Sequence, residues 1–167
     1  MGNTTSIRRV KSEDANTLAY IQTESWKSAF CNIISKEDLE KYTNIDTAID
    51  MYKKILSKNI GNGFILSIDD IPHCIAYWDN AREEQIKEDA EIICIHSLSE
   101  NWGKGYGTRM MEYILSEIKG AGFNNVVLWV FKENKRACSF YENHGFILTD
   151  KTKKFCDAVE VMYCKKL

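Results

Sequence analysis

Apolar residues recur along this chain with two different periods, and the period changes near residue 60. Before that point they recur every three or four positions, which is typical of amphipathic helices. Polar residues followed by acidic ones, at Ser12 and Ser35, indicate the first turns of two helices, and residues 48–56 carry an apolar stripe for a third. The short run at residues 7–10 predicts a strand ahead of them.

Beyond residue 60 the pattern changes to short β-rich runs, separated by turns and by two helical segments. The predicted strands are residues 64–68, 71–78, 91–98, 126–131, 146–148 and 158–163. The predicted helices are residues 110–118 and 134–143, the second of them capped by Asn134. The strands at 91–98 and 126–131 are apolar enough to predict burial of both faces. This order predicts a mixed sheet with helices on its faces, in a single domain covering residues 1–167.

The composition narrows the class of protein. The chain has 167 residues, of which 44% are hydrophobic and 28% charged, with a net charge of −2. This length and apolar content predict one folded domain rather than a disordered segment. The 22 basic and 24 acidic residues leave no excess positive charge for nucleic acid, and no apolar run approaches the roughly 20 residues of a membrane span. We therefore expect a cytoplasmic protein that binds neither nucleic acid nor membranes.

Six cysteines and three histidines are scattered along the chain. No two cysteines are spaced as CxxC, and no histidine stands near enough to complete a zinc-ligand pattern. The expected state is six reduced thiols in a reducing compartment, with no bound metal.

Residues 101–108, Asn-Trp-Gly-Lys-Gly-Tyr-Gly-Thr, are the segment that most strongly indicates a ligand-binding site. Three alternating glycines stand between a predicted buried strand and an amphipathic helix. Glycine permits positive φ and lets a ligand approach the main-chain amides, and the helix that follows contributes unpaired N–H groups. This arrangement predicts a cradle for a pyrophosphate group. Its candidate residues are Gly103, Lys104, Gly105, Tyr106, Gly107 and Thr108.

Two familiar phosphate-binding patterns do not fit this cluster. A Walker loop requires a glycine five residues before its Gly-Lys pair, and Gly103-Lys104 has Leu98 there. A dinucleotide-binding fingerprint requires glycine at a position occupied by Thr108 or by Met110. A glycine-rich turn without a ligand is the remaining alternative.

The glycine cluster and the strand before it resemble the signature of the GNAT superfamily of acyl-CoA-dependent N-acyltransferases, in which a strand leads into Arg/Gln-x-x-Gly-x-Gly/Ala. Gly105 and Gly107 match the two small residues, and Trp102 stands at the Arg/Gln position. A second family signature joins an Asn and a helix to aromatic-Tyr-Glu near Gly-Phe. It is matched by Asn134 and by residues 140–146, Phe-Tyr-Glu-Asn-His-Gly-Phe. The resemblance extends over nearly the whole chain.

This resemblance implies a GNAT-like fold, an α/β (α+β) domain with a mixed, mostly antiparallel central sheet of about seven strands and helices on both faces. Two parallel strands, residues 91–98 and 126–131, would splay apart to form the CoA cleft. Acetyl-CoA is the implied co-substrate, and no metal is needed.

The resemblance also implies which residues contact the cofactor. The pantetheine arm would pair, like an added strand, with the backbone of Ser97, Leu98 and Ser99. Asn134 would contact the cofactor through its side chain, although an asparagine there also serves as a plain helix cap. Ser97 and Ser99 stand where the family favours Val and Pro, which alters the geometry of the strand without removing its backbone groups.

The implied reaction is direct attack of an amine on the thioester, through a tetrahedral intermediate. The family's general acid matches Tyr141, which would contact the cofactor and protonate the leaving sulfur, and its general base matches Glu91. Both also have plain structural interpretations, because Tyr141 can pack beside Phe140 and Glu91 can face solvent. His96 is an alternative base, although simple alternation along the strand points it to the face opposite Glu91.

The sequence features that indicate the acceptor amine are weaker than those that indicate the cofactor. In the family it is selected by the N-terminal helices and by the loop before the strand at 91–98. Here residues 82–91 form a polar, net acidic segment, expected as a solvated loop, and Asp79 precedes it. The candidate aromatic walls are Trp26, Phe30, Tyr77 and Trp78. These features favour a small cationic molecule with a primary amine, such as a polyamine, an aminoglycoside or a peptide amine.

Two other functions stay open at this point. One is acetylation of protein N-termini or lysines, as by ribosomal-protein acetyltransferases, and the other is a non-enzymatic CoA-binding sensor. Many family members dimerise through their C-terminal strands, so a homodimer is also compatible with the resemblance.

Overall fold

The computed structural model describes residues 2–167, which form a seven-stranded sheet with five α-helices packed on its faces. The strands are β1 (Thr5–Arg9), β2 (Asn62–Ile68), β3 (Ile71–Asn80), β4 (Ala90–Ser97), β5 (Asn125–Phe131), β6 (Ile147–Phe155) and β7 (Ala158–Lys166). The helices are α1 (Ala15–Phe30), α2 (Lys36–Tyr42), α3 (Ile45–Ser57), α4 (Tyr106–Gly120) and α5 (Lys135–Asn143). Within residues 2–167, none of the helices is long and apolar enough to cross a bilayer.

Each predicted strand and helix is present, and the largest error in length concerns β6. That strand continues to Phe155, because it pairs with β7 as a hairpin whose outer side chains are polar. Ser12 begins a short 3-10 turn rather than the helix itself, which starts at Ala15.

The strands lie in the order β1-β2-β3-β4-β5-β7-β6, and neighbours are antiparallel except for β4 and β5. This is the mixed, mostly antiparallel α/β sheet that the resemblance implied. β4 and β5 pair only through residues 90–92 and 126–128. Beyond these residues the two strands diverge, and the sheet opens into a wedge between them.

Three helices begin at a side chain that satisfies their first turn. Ser35, Asn44 and Asn134 directly precede α2, α3 and α5, and each accepts a hydrogen bond from the main-chain N–H three residues later. The predicted cap at Asn134 is therefore confirmed. The main-chain N–H of Asn134 also donates to the oxygen of Phe131, which connects the start of α5 to the end of β5.

The two faces of the sheet carry separate apolar clusters. On one face, Met110, Met111 and Ile114 of α4 are fully buried against the strands. On the other, Leu18 and Ile21 of α1 pack with residues of α3. The apolar stripes that predicted these helices are the surfaces that bind them to the sheet.

The prediction that residues 91–98 are buried on both faces is wrong for most of the strand. Ala90, Glu91 and Ile92 are buried, but the remaining residues of β4 are partly or largely exposed. The reason is topological, since β5 covers only the first three residues of β4 and then turns away. The second half of β4 is apolar because it borders a cleft.

Candidate active site

A cleft of about 850 Å³ opens where β4 and β5 diverge. Residues of α1, α3, α5 and of the strands β3 to β7 border it. It extends from Gly107, in the first turn of α4, to Glu160 on β7. A space of this size and apolar lining is typical of small-molecule sites.

A β-bulge in β4 determines which side chains face this cleft. β3 pairs Tyr77 with Cys94 and Trp78 with Ile92, so Ile93 is an extra residue without its own partner. Alternation is therefore interrupted between Glu91 and the second half of the strand. Simple alternation does not hold across the bulge, and it no longer separates His96 from the face of Glu91.

The glycine cluster presents its main-chain amides together at the start of α4. Gly103 and Gly105 have φ values of +76° and +86°, and Gly105 directly precedes the helix. At both glycines the space where a side chain would begin is open, with no atom of another part of the protein within 4 Å. Among residues 2–167, no main-chain oxygen accepts a hydrogen bond from the amides of residues 103–108. These amides are available to an anion, as the sequence predicted.

The end of β4 is joined to this cluster by Trp102, the residue that departs from the family pattern. Its indole N–H donates to the main-chain oxygen of Ser97 at 3.1 Å, and the guanidinium of Arg136 lies 3.5 Å from the centre of its ring. The N–H of Leu98 is also engaged, because it donates to the oxygen of His73. A pantetheine arm that pairs with residues 97–99 must therefore use their other backbone groups or displace Trp102.

Tyr141 lies on α5 and borders the same cleft. It is only 8% exposed, and burial raises the pKa of its phenol well above the ordinary value. The hydroxyl therefore keeps its proton at neutral pH and can donate it. Phe140 packs against Gly107, where an added side-chain carbon would lie 3.4 Å from the ring. This packing brings Tyr141 and Asn134 to the cradle end of the cleft.

Glu91 does not border the cleft directly, because Arg82 covers its carboxylate. The guanidinium of Arg82 donates to both carboxylate oxygens, at 2.6 and 3.2 Å, and the main-chain N–H of Arg82 donates to Oε2 at 3.0 Å. The side chain of Glu91 is 2% exposed, whereas that of Arg82 is 60% exposed. Of the two predicted catalytic residues, the structure therefore brings Tyr141 to the cleft and keeps Glu91 behind an arginine.

The family model for the GNAT acetyltransferases matches residues 31–146, which is more than half of the chain. The chain belongs to the GNAT acetyltransferase family. The resemblance inferred from the two sequence signatures is thereby confirmed.

Solved structures of low sequence identity share the GNAT fold of this chain. The PaiA N-acetyltransferase of Thermoplasma acidophilum, solved in complex with coenzyme A, has a TM-score of 0.84 at 20% identity, covering 98% of this chain and 99% of that one. The GCN5-related N-acetyltransferase of Rhodopseudomonas palustris has a TM-score of 0.78 at 16% identity, covering 100% and 99%. YncA of Salmonella typhimurium, solved with its cofactor acetyl-CoA, has a TM-score of 0.71 at 14% identity, covering 98% and 94%.

His96 occupies the side of the GNAT cleft that faces α1. The indole N–H of Trp26 donates to its Nε2 at 3.4 Å, so the proton of the neutral ring is on Nδ1. Burial lowers the pKa of His96 to about 4, because the surroundings disfavour the charged form. At neutral pH this histidine is an uncharged donor rather than a strong base.

This lowered pKa predicts how stability depends on pH. Below pH 6.5 the unfolded chain protonates His96, whereas the folded protein does not until the pH approaches about 4. Folding is therefore weakened as the pH falls through this window, and His96→Gln removes the effect. As the pH is lowered from 7.5 to 4.5, we expect the wild type to lose about 2 kcal/mol more of its free energy of unfolding than the variant loses.

Urea unfolding at several pH values measures this difference. Both proteins keep His73, whose burial lowers its pKa in the same direction, so its contribution cancels in the comparison. Parallel stability curves for the two proteins would contradict a depressed pKa at His96.

The residues expected to surround the acceptor differ from the prediction in two respects. Trp26, Phe30 and Tyr77 border the cleft as predicted. The prediction for Trp78 is wrong, because it follows Tyr77 in β3 and points to the opposite face of the sheet, where it packs against Phe123. The aromatic wall therefore comes from α1 and one residue of β3.

The second difference concerns charge. Of residues 82–91 only Arg82 borders the cleft, while Glu83 and Glu84 pair with lysines elsewhere. The carboxylates that border it belong to Asp79 and Glu160. Negative charge at the border of the cleft thus comes from β3 and β7 instead of from the acidic loop.

Several charged residues at the GNAT site were not singled out from the sequence. They are Arg82, Arg136, Lys153, Lys154 and Glu160. The sequence could have indicated Arg136 as a site residue, because it lies two residues after Asn134 in the second family signature. Lys153 and Glu160 pair across the β6–β7 hairpin, and only the strand order β5-β7-β6 brings that hairpin to the cleft. Within residues 2–167, no three His, Cys, Asp or Glu side chains are grouped to hold a metal ion.

Proposed function

We propose that the protein is an acetyl-CoA-dependent N-acetyltransferase that acts on the primary amine of a small, cationic molecule. The observation that carries this proposal is the continuity of one cleft. Gly107 of the amide cradle, Tyr141 and the carboxylates of Asp79 and Glu160 all border this cleft. Membership of the GNAT family supports the same activity.

The residues at the cradle end fit acetyl-CoA. The open amides of residues 103–108 suit its pyrophosphate, and the guanidinium of Arg136 adds positive charge at the edge of the cleft. The main-chain oxygens of residues 97–99 already accept hydrogen bonds, but the N–H of Ser99 makes none to another of residues 2–167 and suits the pantetheine arm. When bound, the cofactor supplies an acetyl group activated as a thioester. Structures of similar fold that contain coenzyme A or acetyl-CoA support this choice.

Tyr141 is the general acid in this proposal. Its hydroxyl is protonated, borders the cleft and makes no hydrogen bond to another of residues 2–167. It is therefore free to donate its proton to the sulfur as the acetyl group leaves. A donor aimed at developing negative charge in a site with little water lowers the barrier more than it would in solution.

The ammonium form of the acceptor must lose a proton before it attacks, since the pKa of an alkyl amine is ~10.4. Glu91 was the expected base, but both of its oxygens are bound by Arg82. Glu160 borders the cleft, and burial raises the pKa of its carboxyl above the ordinary value, which makes it a better proton acceptor. We assign it the amine proton, through water, and assign Glu91 the task of holding Arg82.

The acceptor end suits a primary ammonium group on a molecule with an apolar part. Asp79 and Glu160 attract the ammonium, and the rings of Trp26, Phe30 and Tyr77 provide apolar contact and a favourable cation–π surface.

Thermal unfolding with added nucleotides tests the cofactor. Acetyl-CoA and CoA are expected to raise the melting temperature by about 5–10 °C at 100 times their Kd, since ligand binding then stabilises the fold by about 2.7 kcal/mol. ATP at equal concentration should give little shift, because it lacks the pantetheine arm. Equal shifts with ATP, or no shift with millimolar acetyl-CoA, would contradict the assignment.

Two glycines at opposite ends of α4 provide a matched pair of variants for this test. Gly105 and Gly122 both have positive φ, and both have open space where a side chain would begin. Alanine at either position strains the backbone by about 1 kcal/mol. Gly105→Ala should also weaken the shift with CoA, whereas Gly122→Ala should leave it unchanged. Release of free CoA thiol with a panel of amines then separates an enzyme from a CoA-binding sensor.

A further inference from the structure

We propose that Arg82 is a specificity-determining residue that binds a carboxylate on the acceptor, so that the acceptor is an amine of the amino-acid class. This inference rests on the proposed function and adds the second group by which the acceptor is recognised. It starts from the ion pair between Arg82 and Glu91, at the end of the cleft where β4 and β5 are still joined.

The ion pair with Glu91 fixes the orientation of the Arg82 guanidinium. The carboxylate is fully buried, and it accepts hydrogen bonds from Nε, Nη2 and the main-chain N–H of Arg82. Because the carboxylate cannot move within the packed start of β4, the guanidinium has one orientation. An arginine with a fixed orientation binds an oxyanion without first losing its own side-chain freedom.

The other edge of the guanidinium is available to a ligand. Nη1 of Arg82 makes no hydrogen bond within residues 2–167, and 60% of the side chain is exposed, on the wall of the cleft. A purely structural ion pair with the buried Glu91 needs neither this exposure nor a place in the cleft wall. The arrangement suits recognition of an anion from the cleft side.

Charges of both signs border the cleft. Lys153 and Lys154 border it together with Arg82, and so do Asp79 and Glu160. Lys153 lies 4.2 Å from the centre of the Trp129 ring and 3.8 Å from the carboxylate of Glu160. A molecule with several ammonium groups would bring one of them close to three cations. A molecule with one ammonium and one carboxylate can match both signs, which disfavours a polycation.

The aromatic residues of the cleft wall indicate which side chain the acceptor carries. Trp26, Phe30 and Tyr77 offer an apolar, aromatic surface beside the charged end. An amino acid with an aromatic or other apolar side chain therefore fits the cleft through its ammonium group, its carboxylate and its side chain. L-Phenylalanine and its decarboxylated analogue phenethylamine form a pair of probes that differ only in the carboxylate.

The test compares kcat/KM for these two amines with saturating acetyl-CoA, by release of free CoA thiol. For the wild type we expect L-phenylalanine to be preferred at least about tenfold. The double variant Arg82→Gln/Glu91→Gln removes both charges without leaving one buried alone, so that folding is preserved. It should lose the preference, because kcat/KM falls far more for L-phenylalanine than for phenethylamine. L-Lysine against cadaverine repeats the comparison with a cationic side chain.

A second arginine–carboxylate pair supplies the control. Arg8 donates two hydrogen bonds to the buried Asp14, whose carboxylate also accepts from a main-chain N–H, and neither residue borders the cleft. Arg8→Gln/Asp14→Asn should leave the preference intact. The proposal is overturned if the plain amines react as well as the amino acids, or if the Arg82 double variant changes both rates alike. If no amine reacts although CoA raises the melting temperature, the proposed function itself fails, and this inference fails with it.

Discussion

The substitution Tyr141→Phe is expected to lower kcat by about 10²- to 10³-fold, while the Kd for CoA changes by no more than about twofold. The phenol is the buried, protonated donor that borders the cleft, and its loss leaves the departing sulfur without a general acid. Phenylalanine has nearly the same shape, so the packing against Phe140 and Phe146 is retained. Chemistry is therefore affected far more than cofactor binding.

Steady-state kinetics and isothermal titration with CoA separate the two effects. Tyr163→Phe is a matched control, since Tyr163 is also a buried tyrosine, its ring centre is 6.4 Å from that of Tyr141, and its hydroxyl donates to Glu142. That variant loses a hydrogen bond worth about 1 kcal/mol of stability and should keep its kcat. An unchanged kcat in Tyr141→Phe would assign the proton to another donor, and an equal loss of CoA affinity would indicate a structural role.

The substitution Arg82→Ala is expected to reduce the free energy of unfolding by about 3 kcal/mol. It leaves the fully buried Glu91 carboxylate without its countercharge, and breaking one side of a buried ion pair costs about 3–5 kcal/mol. The value lies at the low end because the main-chain N–H of residue 82 still donates to Glu91, and because Arg82 is partly in solvent. Most other changes on the cleft wall should cost far less.

Denaturant unfolding of a double-mutant cycle tests this expectation. Adding Glu91→Gln to Arg82→Ala should restore most of the lost stability, since no buried charge then remains. The same cycle on Arg8 and Asp14 gives a reference for a similar pair outside the cleft. Additive effects of the two changes at residues 82 and 91 would show that the pair is not coupled, and Arg82 would then lose its anchor.

Local patterns predicted the open amides at the start of α4, because these depend only on the backbone conformation of neighbouring residues. Glycines at 103 and 105, followed at once by an amphipathic helix, are sufficient to predict open amides at a helix N-terminus, and the structure has them. The same holds for Asn134, whose capping role depends only on the residues that follow it. Tyr141 was found through the second signature, and its position in the cleft follows from the packing of α5 on α4.

The acceptor end was predicted poorly, because it is assembled from residues far apart in the chain. The β-bulge at Ile93 reverses the faces of the residues that follow. The family resemblance implies a bulge in this strand, but the apolar pattern of β4 alone does not give its position. Glu91 matched a family position, yet Arg82 determines what its carboxylate can do. Trp78 was assigned to the wrong face of β3. Adjacent residues of a strand point to opposite faces, so Tyr77 borders the cleft while Trp78 lies in the core on the other side of the sheet.

The sequence by itself determined the elements, the family and the open amides at the start of α4, because each depends on propensities and contacts within a few residues. Only the tertiary structure decided where charge lies at the acceptor end. That distribution depends on the strand order β5-β7-β6 and on the early divergence of β4 from β5, which bring Arg82, Lys153 and Glu160 together. Arg82 lies more than 70 positions before Lys153 and Glu160 in the chain, and the energies of such contacts depend on burial, which local sequence patterns do not specify.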